Sequence, residues 1–209
     1  MKVTIVGAGN MGRAIGTRAV AGGHEVEIVD RDPTEAGALA AELGGSTSAV
    51  DPGATFSGEV VVFAVYYPGI KDAVQQYAEE IAGKVVVDIT NPVDTNTWDR
   101  LATVPGSSSA EEVAALVPDG TSVVKAFNTN FSPTLVAGEV GGQPLDVFIA
   151  GDDEDAKQKV SQLVTDGGLR PLDVGPLARA QQLEHLGFLH ISVQQPLGLG
   201  FASAIKLLS

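Results

Sequence analysis

The sequence predicts an α/β fold: a doubly wound, mostly parallel sheet with helices on both faces and a small helical C-terminal part. Three observations predict it. Short β-branched runs alternate with longer segments of helical period, a pattern typical of βαβ units. Several of the runs are nearly all apolar, as expected for strands that are buried on both faces. A glycine-rich turn joins the first run to the first helical segment.

The elements follow from this alternation, taken in chain order. The predicted strands are Lys2–Val6, Glu25–Val29, Val60–Ala64, Val85–Asp88, Ser122–Phe127, Leu145–Ile149 and Arg170–Val174. The predicted helices between them are Met11–Ala21, Pro33–Leu43, Ile70–Ile81, Ala110–Leu116 and Asp153–Asp166. We therefore assign residues 1–176 to a sheet domain and residues 177–209 to a C-terminal helical segment.

The C-terminal segment has a different pattern. The stretch "LARAQQLEHLGFLHISVQQ" predicts one more helix, and "PLGLGFASAIKLL" after it is apolar with almost no charge. Because a segment that is apolar all round is normally buried, we expect it to pack on its own sheet or on the matching tail of a partner. This predicts a homodimer through the C-terminal apolar segment.

Composition excludes several functions. The formal net charge of −13 and the scarcity of aromatic residues, 5%, argue against nucleic-acid binding, which needs clustered Lys and Arg. With no cysteine, thiolate catalysis and Cys-ligated zinc are excluded, and "GDDEDAKQKV" is interpreted as a helix start and not a metal site. No stretch is long enough to span a membrane and no signal peptide is recognisable, so we expect a cytoplasmic protein without a metal.

The turn after the first strand is the most informative motif. In "VTIVGAGNMGRAIG", Gly7, Gly9 and Gly12 fit G-x-G-x-x-G between a strand and a helix, and Asp30 follows 18 residues after Gly12. This is the fingerprint of a Rossmann-type dinucleotide site, in which the diphosphate lies at the helix N-terminus. The cofactor-binding residues predicted here are Gly7, Ala8, Gly9, Asn10, Met11 and Gly12.

Asp30 and Arg31 end the second strand and bear on the choice of nucleotide. A carboxylate there can accept hydrogen bonds from the ribose hydroxyls of NAD, whereas an arginine can pair with the 2′-phosphate of NADP. Asp30 occupies the discriminating position, which favours NAD; Arg31 permits NADP or is a solvated turn residue. Use of both cofactors stays open.

Ligands of open α/β sheets bind outside the carboxyl ends of the strands, which directs attention to "FAVYYPG", "DITNPVD" and "KAFNTNFSP". Asn91 and Asn128 are hydrogen-bonding candidates, or they cap their own turns. Tyr66 and Tyr67 either cover the cofactor or are rim aromatics. The further cofactor-binding residues predicted at these ends are Ala64, Val65, Tyr66, Asn91, Pro92 and Ala126.

No acid–base constellation is evident. His24 lies in a turn and is expected to be structural, and His185 and His190 lie on the late helix. His190 shares a face with Leu186 and Val193, which favours a core histidine, with a proton donor of a substrate pocket as the alternative.

Several motifs together resemble the coenzyme F-420-dependent NADP oxidoreductase family: "VGAGNMG", "NPVD", "VVKAFNTNF", "FIAGDDEDAK" and above all "GLRPLDVGPLARAQQLEHLGFLH". The resemblance covers nearly the whole chain and implies hydride exchange between a nicotinamide and a deazaflavin. Ala8 and Asp30 differ from the threonine and small polar residue common there. By that resemblance the second pocket is lined by Phe127, Asn128, Thr129, His190, Leu197 and Gly198.

The function expected from these observations is an oxidoreductase that moves a hydride between NAD(P)H and a small planar redox substrate, coenzyme F-420 or a flavin. Such a reaction needs positioning and little acid–base chemistry. Two alternatives remain: a small carbonyl or imine reductase with His190 as proton donor, and a non-catalytic NAD(P) sensor.

Overall fold

The computed structural model describes residues 1–208 and confirms the mostly parallel α/β sheet. Eight strands form one sheet in the order β10-β9-β6-β5-β4-β1-β2-β3, and β7 and β8 form a separate hairpin. The strands are β1 (Lys2–Val6), β2 (Glu25–Val29), β3 (Thr47–Ala49), β4 (Val60–Phe63), β5 (Val85–Asp88), β6 (Ser122–Lys125), β7 (Glu139–Val140), β8 (Gln143–Pro144), β9 (Asp146–Gly151) and β10 (Arg170–Gly175).

Helices cover both faces of this sheet. They are α1 (Asn10–Ala21), α2 (Pro33–Leu43), α3 (Tyr67–Gln76), α4 (Ala78–Ile81), α5 (Ser109–Ala114), α6 (Ser132–Ala137), α7 (Glu154–Asp166) and α8 (Ala180–Ser192), the last preceded by a 3-10 turn, Leu177–Arg179. Side chains cap three of them: Asp32 accepts from Thr34 N at α2, Ser108 accepts from Glu111 N at α5, and Asp153 accepts from Ala156 N at α7. The acids of "GDDEDAKQKV" thus begin a helix, as predicted.

Three details differ from the sequence predictions. The short elements β3, α6 and the β7–β8 hairpin were not predicted, because two to six residues carry too little periodicity to be recognised. The helix predicted at Ile70–Ile81 begins at Tyr67 and breaks at Tyr77, whose ring packs against Phe56 at 5.1 Å. Finally, β9 pairs antiparallel with β6, so β9 and β10 run opposite to the other six strands.

The tail that follows α8 is partly buried against its own sheet and partly exposed in the single chain, so its packing on the matching tail of a partner stays a prediction. Ala204 and Ile205 pack against the core on the β9 side of the sheet. Leu197, Leu207 and Leu208 are 56–76% exposed.

No helix within residues 1–208 combines the length and the apolar character that are needed to cross a membrane.

Asp146, at the start of β9, ties the tail to the sheet. Its buried carboxylate accepts from Arg170 Nε at 2.8 Å, Lys206 Nζ at 2.8 Å and Leu207 N at 2.9 Å. Burial alone would raise the pKa of Asp146, but the hydrogen bonds from Arg170, Lys206 and Leu207 outweigh it and lower this pKa to about 2. The folded state therefore favours the ionised carboxylate.

We expect Asp146→Asn to lower the free energy of unfolding by about 2 kcal/mol at neutral pH. Because the folded-state pKa lies below the unfolded value, this contribution is complete above about pH 4 and disappears as the pH falls towards 2. Urea denaturation of both proteins from pH 7 to 2 measures it. The control is Asp173→Asn, which removes a half-exposed partner of Lys157 and should cost less than 1 kcal/mol. If the difference in free energy of unfolding between the wild type and D146N does not change with pH, the lowered pKa of Asp146 is contradicted.

Candidate dinucleotide and substrate site

The glycine turn lies at the carboxyl edge of the sheet, between β1 and α1, and its backbone is closely packed. Gly7 has φ +113°, and a Cβ there would meet Ala64 O at 2.5 Å. A Cβ on Gly12 would meet Gly7 O at 2.0 Å. Both positions therefore require glycine: the first for the turn, the second for the contact between α1 and the turn.

Gly9 differs from its two neighbours in the motif because nothing lies within 4 Å of the position of its absent Cβ. It is exposed at the N-terminus of α1, where no side chain caps the helix and no acid lies in the first turn. The N–H groups of this first turn and the helix dipole are thus left for an anion. Open space beside an uncapped helix start fits a diphosphate.

Asp30 is held directly against the glycine turn. Its Oδ2 accepts from Ala8 N at 2.7 Å and its Oδ1 accepts from Asp32 N at 3.0 Å. The carboxylate is thereby oriented, and each oxygen keeps a second lone pair for a ribose hydroxyl. The neighbouring Arg31 is exposed. Both predicted determinants of nucleotide choice lie at the end of β2, beside the turn.

The two adjacent tyrosines that follow β4 have different environments. Ala64 and Val65 are partly exposed, and Ala64 O lies so close to Gly7 that a Cβ there would meet it at 2.5 Å. Tyr66 is 90% exposed, whereas the Tyr67 hydroxyl donates to Glu112 Oε2 at 2.9 Å. Burial and this hydrogen bond raise the pKa of Tyr67 well above its ordinary value. Tyr66 alone is available to a ligand.

Asn91 and Asn128 face each other across the ends of β5 and β6. Asn91 Nδ2 donates to Asn128 O at 2.7 Å, and Asn128 Nδ2 donates to Asn91 Oδ1 at 2.9 Å and to Leu183 O of α8 at 2.8 Å. A Cβ on Gly187 would lie 2.4 Å from Asn91 Oδ1, so glycine lets α8 approach the pair. The asparagines join α8 to the sheet, and Asn128 Oδ1 has no partner within the described residues.

The backbone that follows β6 is strained. Phe127 has φ +61° and is 2% exposed, with Ala126 fully buried before it and Thr129 2% exposed after it. A positive φ is rare for a bulky side chain, and such strain concentrates at ligand sites. Residues 126–129 lie at the carboxyl edge of the sheet, as predicted, but their side chains are buried in the protein interior.

His190 occupies the interface between α8 and the tail. It is 6% exposed; its Nδ1 donates to Thr129 O at 3.1 Å, which leaves Nε2 to accept from Ser203 Oγ at 2.9 Å. Burial lowers the pKa of His190, and its ring packs on Phe131 at 4.3 Å. These contacts fit the core histidine better than the proton donor.

The remaining predicted residues divide by exposure. Pro92 is buried, its carbonyl accepting from Ala102 N. Asn10 is exposed and Met11 partly so at the start of α1. Leu197 and Gly198 are exposed in the turns that follow α8. Leu197 and Gly198 are thus placed at the surface beyond α8 and not among the buried side chains after β6.

A buried charge cluster was missed by the sequence analysis. Lys125 Nζ donates to Asp88 Oδ2 at 2.9 Å, Glu184 Oε1 at 2.7 Å and Thr90 O at 2.6 Å, and all three charged side chains are at most 1% exposed. Glu184 Oε2 also accepts from Ser109 N. Burial raises the pKa of Glu184 against the opposing effect of Lys125.

A sequence signal for part of this cluster exists. Two apolar runs, "VVVD" and "SVVK", each end in a charge of opposite sign, and in the sheet Asp88 lies opposite Lys125. Glu184 carries no comparable signal, because only the docking of α8 brings it to the strands.

Comparisons with known proteins agree with this geometry. Residues 2–92 match the family model described as "NADP oxidoreductase coenzyme F420-dependent". The F420-dependent NADP reductase of Methanothermobacter marburgensis is 30% identical over 92% of both chains. The crystal structure of a putative F420-dependent NADP-reductase from Arthrobacter sp. fb24 superposes with a TM-score of 0.82 at 28% identity over 95% of each chain.

A second group of relatives is longer. The metalloreductase STEAP3 of Rattus norvegicus is 35% identical over 88% of this chain, which spans only 36% of the length of that protein. The match to the Methanothermobacter reductase extends over 92% of both chains, so it assigns the family more specifically than the partial match to STEAP3. The chain is an NAD(P)-dependent oxidoreductase, and it belongs to the family of coenzyme F-420-dependent NADP oxidoreductases.

Proposed function

We propose that this protein transfers a hydride between NAD(P)H and a small planar redox substrate, coenzyme F-420 or a flavin. In the reduction of that substrate the reduced nicotinamide gives up a hydride, two electrons and a proton, and becomes NAD(P)⁺. The acceptor takes the hydride at position 5 of its central ring, which is a carbon in the deazaflavin and a nitrogen in a flavin, and takes a proton from solvent. The protein's part is to bind and orient the two rings and to exclude water between them.

The observation that carries the proposal is the open space at Gly9 beside the uncapped start of α1. A diphosphate there would be held by first-turn N–H groups, with its adenosine directed to Asp30 and Arg31 at the end of β2 and its nicotinamide directed to Ala64, Asn91 and Pro92. These residues would hold the dinucleotide; the segment Phe127–Thr129 and the end of α8 would border the second substrate.

The test is direct. Purified protein is mixed with NADPH or NADH and either F-420 or FMN, and the nicotinamide absorbance is followed with time. Turnover with at least one pair is expected. Absence of turnover with every pair, in protein that binds the dinucleotide, contradicts the proposal.

The nucleotide preference rests on opposite contributions. The family supports NADP, and the exposed Arg31 can pair with a 2′-phosphate. Asp30, held at the glycine turn by Ala8 N, would repel that phosphate. We propose that both nucleotides bind and that Asp30 shifts the balance towards NADH.

We therefore expect Asp30→Ser to improve the affinity for NADPH relative to NADH by about tenfold, because the repulsion between two like charges is removed. Calorimetric titration with each nucleotide measures the ratio. Asp32→Ser, which removes an exposed carboxylate two residues away, is the control. An unchanged ratio in D30S would show that Asp30 does not set the preference.

The two other candidate functions receive less support. A carbonyl or imine reductase with His190 as donor would need an accessible ring nitrogen, whereas both nitrogens are engaged inside the protein. A non-catalytic sensor is opposed by membership of an oxidoreductase family.

We also propose a cytoplasmic homodimer. Leu189, Leu197, Phe201 and Leu207 are 45–66% exposed, and a depression of about 270 Å³ between α8 and the tail is lined by Leu186, Leu189, His190, Val193 and Ile205. A second copy would cover these apolar side chains. In this arrangement residues 177–209 close the substrate cleft and form the interface.

A further inference from the structure

We propose that Trp98 forms the stacking surface for the flat ring of the second redox substrate; this inference rests on the function proposed above. The loop between β5 and α5 holds the only tryptophan of the chain. Trp98 is 62% exposed and has φ +57°. Burying its indole would stabilise the fold, and a bulky residue in the left-handed region is strained. The fold therefore gains little from a tryptophan at this position.

The loop is an ordered hairpin and not a loose excursion. Val93 and Leu101 form an antiparallel bridge, Asp94 N donates to Arg100 O, and Trp98 N donates to Asp94 O at 2.7 Å. Ala102 N donates to Pro92 O at 2.6 Å. These hydrogen bonds hold the tip in place, so the indole is presented to solvent by a fixed backbone.

The hairpin starts at the candidate site. Asp94 is two residues beyond Pro92, and the hydrogen bond from Trp98 N to Asp94 O keeps the Trp98 backbone within roughly 14 Å of Pro92. Tyr66, 90% exposed, follows β4, the strand next to β5. Two of the most exposed aromatic side chains within residues 1–208 thus follow adjacent strands at one edge of the sheet.

The strand order identifies which ring this surface would take. Asp30 ends β2, and β5 is three strands away in the order β5-β4-β1-β2, about 14 Å at ordinary strand spacing. The adenine of the dinucleotide is therefore on the far side of the glycine turn. A ring at the β5 end is the nicotinamide or its reaction partner, and the exposed Trp98 face suits a large planar ring system that approaches from solvent.

The single tryptophan provides the readout. FMN, and separately F-420, are titrated into wild-type protein with saturating NADP⁺ while the tryptophan emission is recorded; saturable quenching is expected. In Trp98→Asn the indole is absent and the left-handed backbone is retained, since Asn tolerates this conformation. We expect the KM for the ring substrate to rise at least tenfold, the NADPH dissociation constant to change by less than twofold, and the thermal midpoint not to fall.

Trp98→Phe retains an aromatic face, so its KM for the ring substrate should stay within about threefold of the wild-type value. Val104→Ala shortens an exposed side chain of the same loop and should leave this KM unchanged. Turnover by the wild type with an unchanged KM in W98N overturns the inference and leaves the proposed function intact. Saturable quenching by either ring substrate, with no turnover by any nucleotide–ring pair, supports the stacking surface and contradicts the proposed function. Absence of quenching overturns the inference.

Discussion

Lys125→Met is expected to lower the free energy of unfolding by about 3–5 kcal/mol, because it leaves two carboxylates buried without their counter-ion. Asp88 and Glu184 are fully buried and Lys125 Nζ lies within 2.9 Å of both. In a chain of this size, such a loss lowers the thermal midpoint by roughly 10 °C. Chemical denaturation monitored by circular dichroism measures it.

Two variants make this prediction specific. Lys159→Met removes a half-exposed lysine whose partner Glu59 lies at 3.5 Å, and should change stability by less than about 1 kcal/mol. Adding Glu184→Gln to K125M removes one of the two orphaned charges and should recover 1 kcal/mol or more. A K125M protein as stable as K159M would mean that the cluster does not hold α8 to the sheet.

Gly9→Ala is expected to weaken the binding of NADPH and NADH at least tenfold while the fold survives. Its Cβ meets no atom within 4 Å and its φ of −74° is ordinary, so the cost to stability should stay within about 1 kcal/mol, as for a helix N-cap. The added methyl group, however, occupies the space through which a diphosphate approaches the N–H groups of α1. Calorimetric titration and thermal melting separate the two effects.

The controls come from the chain's other glycines. Gly37→Ala lies in α2, also with open space at its Cβ, and should gain about 0.5–1 kcal/mol of stability with unchanged binding. Gly12→Ala would place its Cβ 2.0 Å from Gly7 O and should lose stability as well as binding. Full dinucleotide affinity in G9A would place the diphosphate elsewhere.

Most of the long elements could be predicted from residue patterns. The strands Lys2–Val6, Glu25–Val29 and Val85–Asp88 have the bounds predicted for them. A β-branched run between turn residues leaves little choice of where the strand begins and ends. The direction of β9 could not be predicted, since an apolar run buried on both faces looks the same in either orientation. At the helix break, the Tyr77 ring packs against Phe56, a contact between residues distant in sequence that the local pattern does not reveal.

At the site, local motifs were informative and remote contacts were not. The glycine turn and Asp30 could be found because fixed spacings position them along one βαβ unit, β1–α1–β2. Asn128 and Lys125 each acquire a partner from α8, 55 and 59 residues further along the chain. Trp98 carries no motif, and its exposure and left-handed backbone are visible only once the hairpin is folded.

The sequence by itself determined the fold class, the dinucleotide turn and the family, because each depends on residues that are close together in the chain and constrained by backbone geometry. The tertiary structure alone decided which polar groups are already engaged within the protein. It joined Lys125 to Glu184, enclosed His190 and left Tyr66 and Trp98 exposed. The reason is that burial and hydrogen-bond partnership are properties of the packed chain and not of any one segment.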